Sequence, residues 1–239
     1  MGSKTPKIVP ETAEGDVSAF LDKLALTPVK KAADARGRLI FAMDATMSRQ
    51  PTWDKACHLQ ADMFNEAEKL GGLDTKLIYF RGYHECKASK WHSEAAPLQR
   101  AMAKIHCQGG YTQIGRVLKR TLKEVRSGPV NALVYVGDCV EEEIDALCAI
   151  AGEIGLMGVP AFFFQEGNDR EAEIAFKELA RLTGGAWCRF DASSAAQLRD
   201  LLKAVAIYAA GGRKALMDYS EGKGDDILQL TSMLNKGAT

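Results

Sequence analysis

Ala132-Leu133-Val134-Tyr135-Val136 is an unbroken apolar run that closes on Gly137-Asp138, and it is the clearest buried strand in the chain. A strand covered on both faces needs no alternation of apolar and polar residues, which is how the strands of a parallel sheet read. Upstream, Leu39-Ile40-Phe41-Ala42-Met43 has the same character and ends on Asp44. Leu77-Ile78-Tyr79-Phe80, Val159 to Phe164 and Ala186 to Phe190 read as further strands. Between them, apolar residues recur at three- and four-residue steps. Ala56, Leu59, Met63, Ala67 and Leu70 predict a helix from Trp53 to Leu70, stopped by Gly71-Gly72. Helices are also expected from Glu94 to Ile105, Gln113 to Val125, Glu142 to Gly155, Arg170 to Leu182 and Ser194 to Ala210. This alternation predicts an α/β fold: a doubly wound, mostly parallel central sheet with helices on both faces and right-handed crossovers.

Around that regular part the chain divides simply. Residues 1–35, with Pro6, Pro10, Pro28 and the amphipathic stretch Val17 to Leu24, suit an arm or short leading helix. Residues 36–212 form one α/β domain. Residues 213–239 turn polar and Gly-rich and read as a tail, with Ile227-Leu228-Gln229-Leu230 as a docking helix at most.

Composition excludes several function classes. The 239 residues carry 31 Lys+Arg against 31 Asp+Glu, so no basic surplus serves a nucleic-acid backbone. No apolar run is long enough for a membrane span, and the N-terminus lacks the apolar core of a secretory signal. Six cysteines without CxxC spacing fit a reduced, cytoplasmic protein that uses them as small core residues. Neither G-x-x-x-x-G-K-[ST] nor a post-strand G-x-G-x-x-G occurs, so nucleotide binding has no support.

In open parallel sheets, ligands bind outside the carboxyl ends of the strands. Asp44-Ala45-Thr46-Met47-Ser48 follows the first strand, and Asp138 follows the run at 132–136. A Gly109-Gly110 turn delivers Tyr111-Thr112 just before a helix. Two carboxylates and three hydroxyls on three loops make an all-oxygen donor set, suited to a hard cation such as Mg²⁺ rather than Zn²⁺.

Asp44-x-Thr46-x-Ser48, then Thr112 after a glycine turn, then Asp138 after an apolar strand resembles the metal-ion-dependent adhesion site (MIDAS) of the von Willebrand factor type A (VWA) domain, in the manner of its bacterial intracellular members. The resemblance covers about residues 36–212. It implies a Rossmann-like sheet with one short antiparallel edge strand, for which Tyr83 to Lys87 is the candidate. It further implies that Thr46 and Ser48 coordinate Mg²⁺ (or Mn²⁺ or Ca²⁺) directly, Thr112 in the ligand-ready state, and Asp44 and Asp138 through water. The function implied is a non-catalytic, cytoplasmic interaction module that recognises an Asp or Glu of a protein partner. The resemblance also implies action within a multi-protein assembly, sometimes alongside an AAA-type ATPase.

Two residues depart from the family pattern. Thr46 stands where Ser is usual, keeping the hydroxyl on a stiffer side chain. Cys139 stands where Gly commonly follows the last aspartate. Three residues after Asp138, the run Glu141-Glu142-Glu143 suits either a helix N-terminus or extra negative charge near the site.

Other readings compete. A haloacid-dehalogenase-like, Mg²⁺-dependent phosphatase would use Asp44 as nucleophile, but needs a second carboxylate where Thr46 stands. A metal-free scaffold would keep the same residues for loop hydrogen bonds. His84, Cys86 and His92 match no closed zinc site, and edge or surface histidines explain them better. Trp53 and Trp91 are expected on loops or helix starts near the metal edge, as packing anchors or as partner contacts. For Arg49 the sequence leaves three readings open: a charge that repels cations, a grip on a partner's acid, or an ordinary solvated side chain.

Overall fold

The computed structural model describes residues 11–27, 36–49, 72–190 and 195–222. Strand β1 (Gly37–Asp44) shows why the central strands read as continuous apolar runs. Leu39, Phe41 and Met43 enter one core, while Ile40 and Ala42 enter another on the opposite face. Strand β4 (Ala132–Gly137) repeats this, with Val134 and Val136 on one side and Leu133 and Tyr135 on the other. A strand between two cores has no solvent face, so the period of two is hidden in residue size rather than polarity.

The described strands pair in the order β3-β2-β1-β4-β5-β6. Here β2 is Leu73–Arg81, β3 is Glu85–His92, β5 is Ala161–Glu166 and β6 is Trp187–Phe190. All pairings are parallel except that of β2 with β3. One core is covered by α1 (Glu11–Leu26), α2 (Ala95–Met102) and α6 (Ala195–Gly222). The other is covered by α3 (Ile114–Ser127), α4 (Ile144–Leu156) and α5 (Arg170–Thr183). The expected doubly wound, mostly parallel sheet is therefore present. Order reverses between β1 and β4, and a crevice opens at the carboxyl ends on either side of such a reversal.

Several elements differ from their sequence expectation. The antiparallel edge strand begins beyond Tyr83, which lies in the turn at 82–84, and continues through Trp91 to His92. Its alternation is masked by the polar outer residues Lys87 and Lys90, charges that discourage further pairing at a sheet edge. Trp91 is consequently not at the metal edge. It pairs with Lys76 near the start of β2, at the opposite end of the sheet. There Trp91 lies under Lys76 and Arg38, at 5.1 and 5.2 Å, and its indole donates to Glu124. His92 shares that far end while Cys86 lies near the start of β3, so the length of a strand separates them and no zinc site forms. Trp53 and the helix expected from Trp53 to Leu70 lie outside the described residues.

The last helix also runs on. It breaks at Gly212, whose φ of 76° only glycine adopts easily, but the chain is helical again to Gly222, where a tail was expected. At the other end, α1 is an integral part of the packing. Phe20 and Leu24 are fully buried, and the Phe20 ring lies 5.7 and 5.1 Å from Phe162 and Phe164. Phe20→Ala is expected to destabilise the protein by about 3–5 kcal/mol in urea unfolding. A loss under 1 kcal/mol would mean that α1 is an accessory to the domain rather than part of its core.

Candidate metal centre

Asp44, the last residue of β1, is fully buried. Its Oδ1 accepts a 2.7 Å hydrogen bond from the Thr46 N–H, a tight local turn that follows from Asp preceding a hydroxyl residue by two. The next residues form a short 3-10 turn, Met47–Arg49. It leaves the Thr46 and Ser48 hydroxyl oxygens 3.0 Å apart. Asp138 follows β4 directly, across the order reversal. A carboxylate oxygen of Asp44, one of Asp138 and the Cys139 sulfur all lie within 4.8 Å of one another. Among the described residues this is the one such grouping of His, Cys, Asp and Glu. Asp44 Oδ2 and Asp138 Oδ1 are buried side-chain oxygens without a hydrogen-bond partner. Such atoms cost free energy unless something neutralises them. These two orphaned oxygens, backed by two hydroxyls, fit a hard divalent cation.

Thr112 is placed by a backbone crossing. A Cβ on Gly110 would lie 2.0 Å from the Gly82 carbonyl oxygen, so only glycine lets the two loops touch. Gln113 reinforces the crossing by donating to the Arg81 and Gly82 carbonyls. Beyond it, the Thr112 hydroxyl accepts from the Glu141 N–H at 3.0 Å, and the Thr112 N–H donates to the Glu141 carboxylate at 2.8 Å. Thr112 is thereby tied to the loop that carries Asp138.

The acidic run serves a helix N-terminus, but not that of its own helix, and Glu141 brings its charge to Thr112. Glu142 lies outside α4 and instead accepts from the Ile114 and Gly115 N–H groups, capping α3. Gln113, the residue before α3, makes no side-chain cap, so Glu142 supplies the negative charge that a helix N-terminus favours. Burial pushes its carboxyl up, and those two backbone donors pull it down.

Arg49 is not a solvated side chain, one of the three readings its sequence left open. It is 1% exposed and stands first among the largest fully buried side chains of the described residues. Its guanidinium pairs with Glu166, at the end of β5, and lies 5.8 Å from the Phe190 ring centre. Burial works against its charge, and the carboxylates of Asp138 and Asp44 support it. The sequence signal was available only in part: an arginine between a strand-end motif and a helix is ordinary, and nothing local announces the distant Glu166.

Asp44 feels opposing effects. Burial pushes its carboxyl up from 3.8 to about 7, and nearby Asp138 adds to the rise. The Thr46 hydrogen bonds and the Arg49 charge oppose it. Cys139 is pushed up from its ordinary value by burial and by Asp138, which keeps it a neutral thiol. On the outer rim Tyr83 and Tyr111 are 62% and 59% exposed, and they meet edge to face at 5.3 Å. Sequence reading missed this pair, since it depends on the Gly82–Gly110 crossing.

No family model matches the chain, and no curated protein matches it. Solved structures do. A von Willebrand factor type A protein from Catenulispora acidiphila superposes with a TM-score of 0.57 at 16% identity, over 71% of this chain and 42% of that one. The SpRpn10 VWA domain gives 0.54 at 12% identity, over 74% and 98%. An aerotolerance-related membrane protein from Bacteroides fragilis gives 0.52 at 17% identity, over 70% and 98%. The fold is that of a von Willebrand factor type A domain. The chain spans less than half the length of the Catenulispora protein, and at these identities the likeness is one of fold alone. Among the described residues, no helix of this type A fold is long and apolar enough to cross a membrane.

The Asp44 environment carries a pH prediction for the metal-free protein. The folded value lies above the unfolded one, so its contribution is full below about 3.8 and is lost as pH rises through about 7. In chelator, stability attributable to Asp44 should fall by about 1 kcal/mol between pH 6 and 8. Urea unfolding of wild type and Asp44→Asn across that range checks it: the variant should lose that part of the slope. Parallel curves for the two proteins would contradict it.

Proposed function

We propose that this chain is a non-catalytic protein-interaction module that holds a divalent cation, Mg²⁺ by preference, with Mn²⁺ or Ca²⁺ as substitutes. Thr46, Ser48 and Thr112 offer hydroxyl oxygens to the ion, and Asp44 and Asp138 hold it through water. The observation that carries this reading is the pair of orphaned, buried carboxylate oxygens on Asp44 and Asp138, at the reversal of strand order. When bound, the ion supplies a Lewis-acidic position that an acid from another molecule completes.

The partner class is a protein presenting Asp or Glu. The Tyr83–Tyr111 pair gives that partner an aromatic surface beside Thr112. We place the module in the cytoplasm, in an assembly that can include an ATPase. Among the described cysteines none is joined in a disulfide, as a reducing compartment allows.

A phosphatase reading fits less well. Asp44 is fully buried and its Oδ1 is held by the Thr46 N–H, so it is a poor nucleophile toward an outside phosphate. Thr46 cannot serve as the general acid that this chemistry needs.

Titration calorimetry with MgCl₂ and MnCl₂ tests the proposal. Wild type should give a saturable one-site heat, and Asp138→Ala should weaken binding by about 10–100-fold. Ser48→Ala should weaken it as well. Equal heats from wild type and both variants would favour the metal-free scaffold. Turnover of an aryl phosphate that Asp44→Asn abolishes would overturn the non-catalytic reading.

A further inference from the structure

Arg49 is a feature of the centre that the proposed function does not use. A divalent-cation site with a guanidinium buried beside its carboxylates is electrostatically unusual, because the two cations repel. The cost of burying Arg49 is met at three strand ends: Glu166, which ends β5, pairs with it, and Asp44, which ends β1, and Asp138, which follows β4 level with Glu166, act on its charge. Three carboxylates therefore act on one guanidinium, and of these Glu166 is in direct contact. When all are ionised they leave a net charge of −2, which one divalent cation balances. The guanidinium does not fill the ion's place, since Asp44 Oδ2 and Asp138 Oδ1 remain without hydrogen-bond partners.

We infer that Arg49 divides the binding strength of this centre, weakening its hold on the divalent ion and strengthening the ion's hold on an outside carboxylate. The inference rests on the metal-dependent reading above and adds to it the residue that sets the balance. The reason is the sign of the potential. A fixed positive charge behind the ion raises the potential over the whole centre, which opposes a second cation and favours an incoming anion. The effect persists in salt because Arg49 is shielded from solvent. Lysine would keep the charge but lose the planar fork that meets Glu166.

Glu166 acts in the opposite sense. It is 18% exposed and holds part of the guanidinium's field away from the ion. Removing its charge should make the centre more positive. The site is therefore tuned to be loaded weakly by the metal alone and firmly when metal and partner acid arrive together.

Opposite shifts for two ligands separate this role from a structural one, since a damaged fold would weaken both. The experiment uses the full chain as wild type, Arg49→Met, Arg49→Lys and Glu166→Gln. Mn²⁺ affinity is read by calorimetry, and acetate binding to the Mn²⁺-loaded protein by water-proton relaxation. Arg49→Met should bind Mn²⁺ about tenfold more tightly and acetate severalfold more weakly. Arg49→Lys should return both toward wild type. Glu166→Gln should do the reverse of Arg49→Met, with weaker Mn²⁺ and tighter acetate, and it decides the matter if Arg49→Met does not fold. Unchanged affinities, or Mn²⁺ and acetate moving in the same direction, would overturn the inference while leaving the metal reading intact. Absence of Mn²⁺ binding to wild type and variants alike would overturn both.

Discussion

A guanidinium shut away from water among carboxylates is the constraint on which the rest of this structure turns. Arg49 could not be buried alone; the desolvation of a lone charge would exceed what a small domain can spare. It is tolerated because β1 and β5 end on Asp44 and Glu166 and β4 leads directly into Asp138, three acids from separate segments of the sequence. The strand order that neighbours β1 with β4 and β4 with β5 brings those ends together. Fold and charge are thus mutually dependent. The sheet places the acids, and the acids permit a cation in the interior. Asp44 bears the tension of this arrangement, since burial and Asp138 favour its protonation while Thr46 and Arg49 favour its charge.

The surrounding loops serve the same end by economical means. Glu141 and Glu142 follow Asp138 closely, and both reach across to the segment that begins α3. One acid steadies Thr112 and the other caps the helix behind it. The helix dipole therefore becomes a device for locking two loops together. Because the loop after β4 is fastened in this way, Thr112 and Asp138 have little freedom to drift apart.

Much of the framework was legible in the sequence. Uninterrupted apolar runs at 39–43 and 132–136 announced strands covered on both faces, and each ended on an acid at the rim where ligands bind. The reading failed where the deciding partner was remote. Arg49 gave no sign of burial because its counter-charge lies more than a hundred residues away, on β5. The edge strand was expected only from Tyr83 to Lys87, and its continuation to His92 was missed because an edge strand needs only one apolar face, and its bulk comes late, at Trp91. The acidic run at 141–143 was read against its own helix, whereas its carboxylates meet another. In each case periodicity carried the backbone, and pairing across the fold carried the charge.

The contact of Gly110 with the Gly82 carbonyl has a consequence for divergence among proteins built this way. A joint made of bare backbone tolerates no substitution, yet it says nothing about the side chains it holds up on its outer surface. Residues 83 and 111 can therefore be exchanged freely, changing which molecules are greeted at the rim, while the interlock beneath keeps the inner chemistry in register. Specificity and architecture become separately heritable.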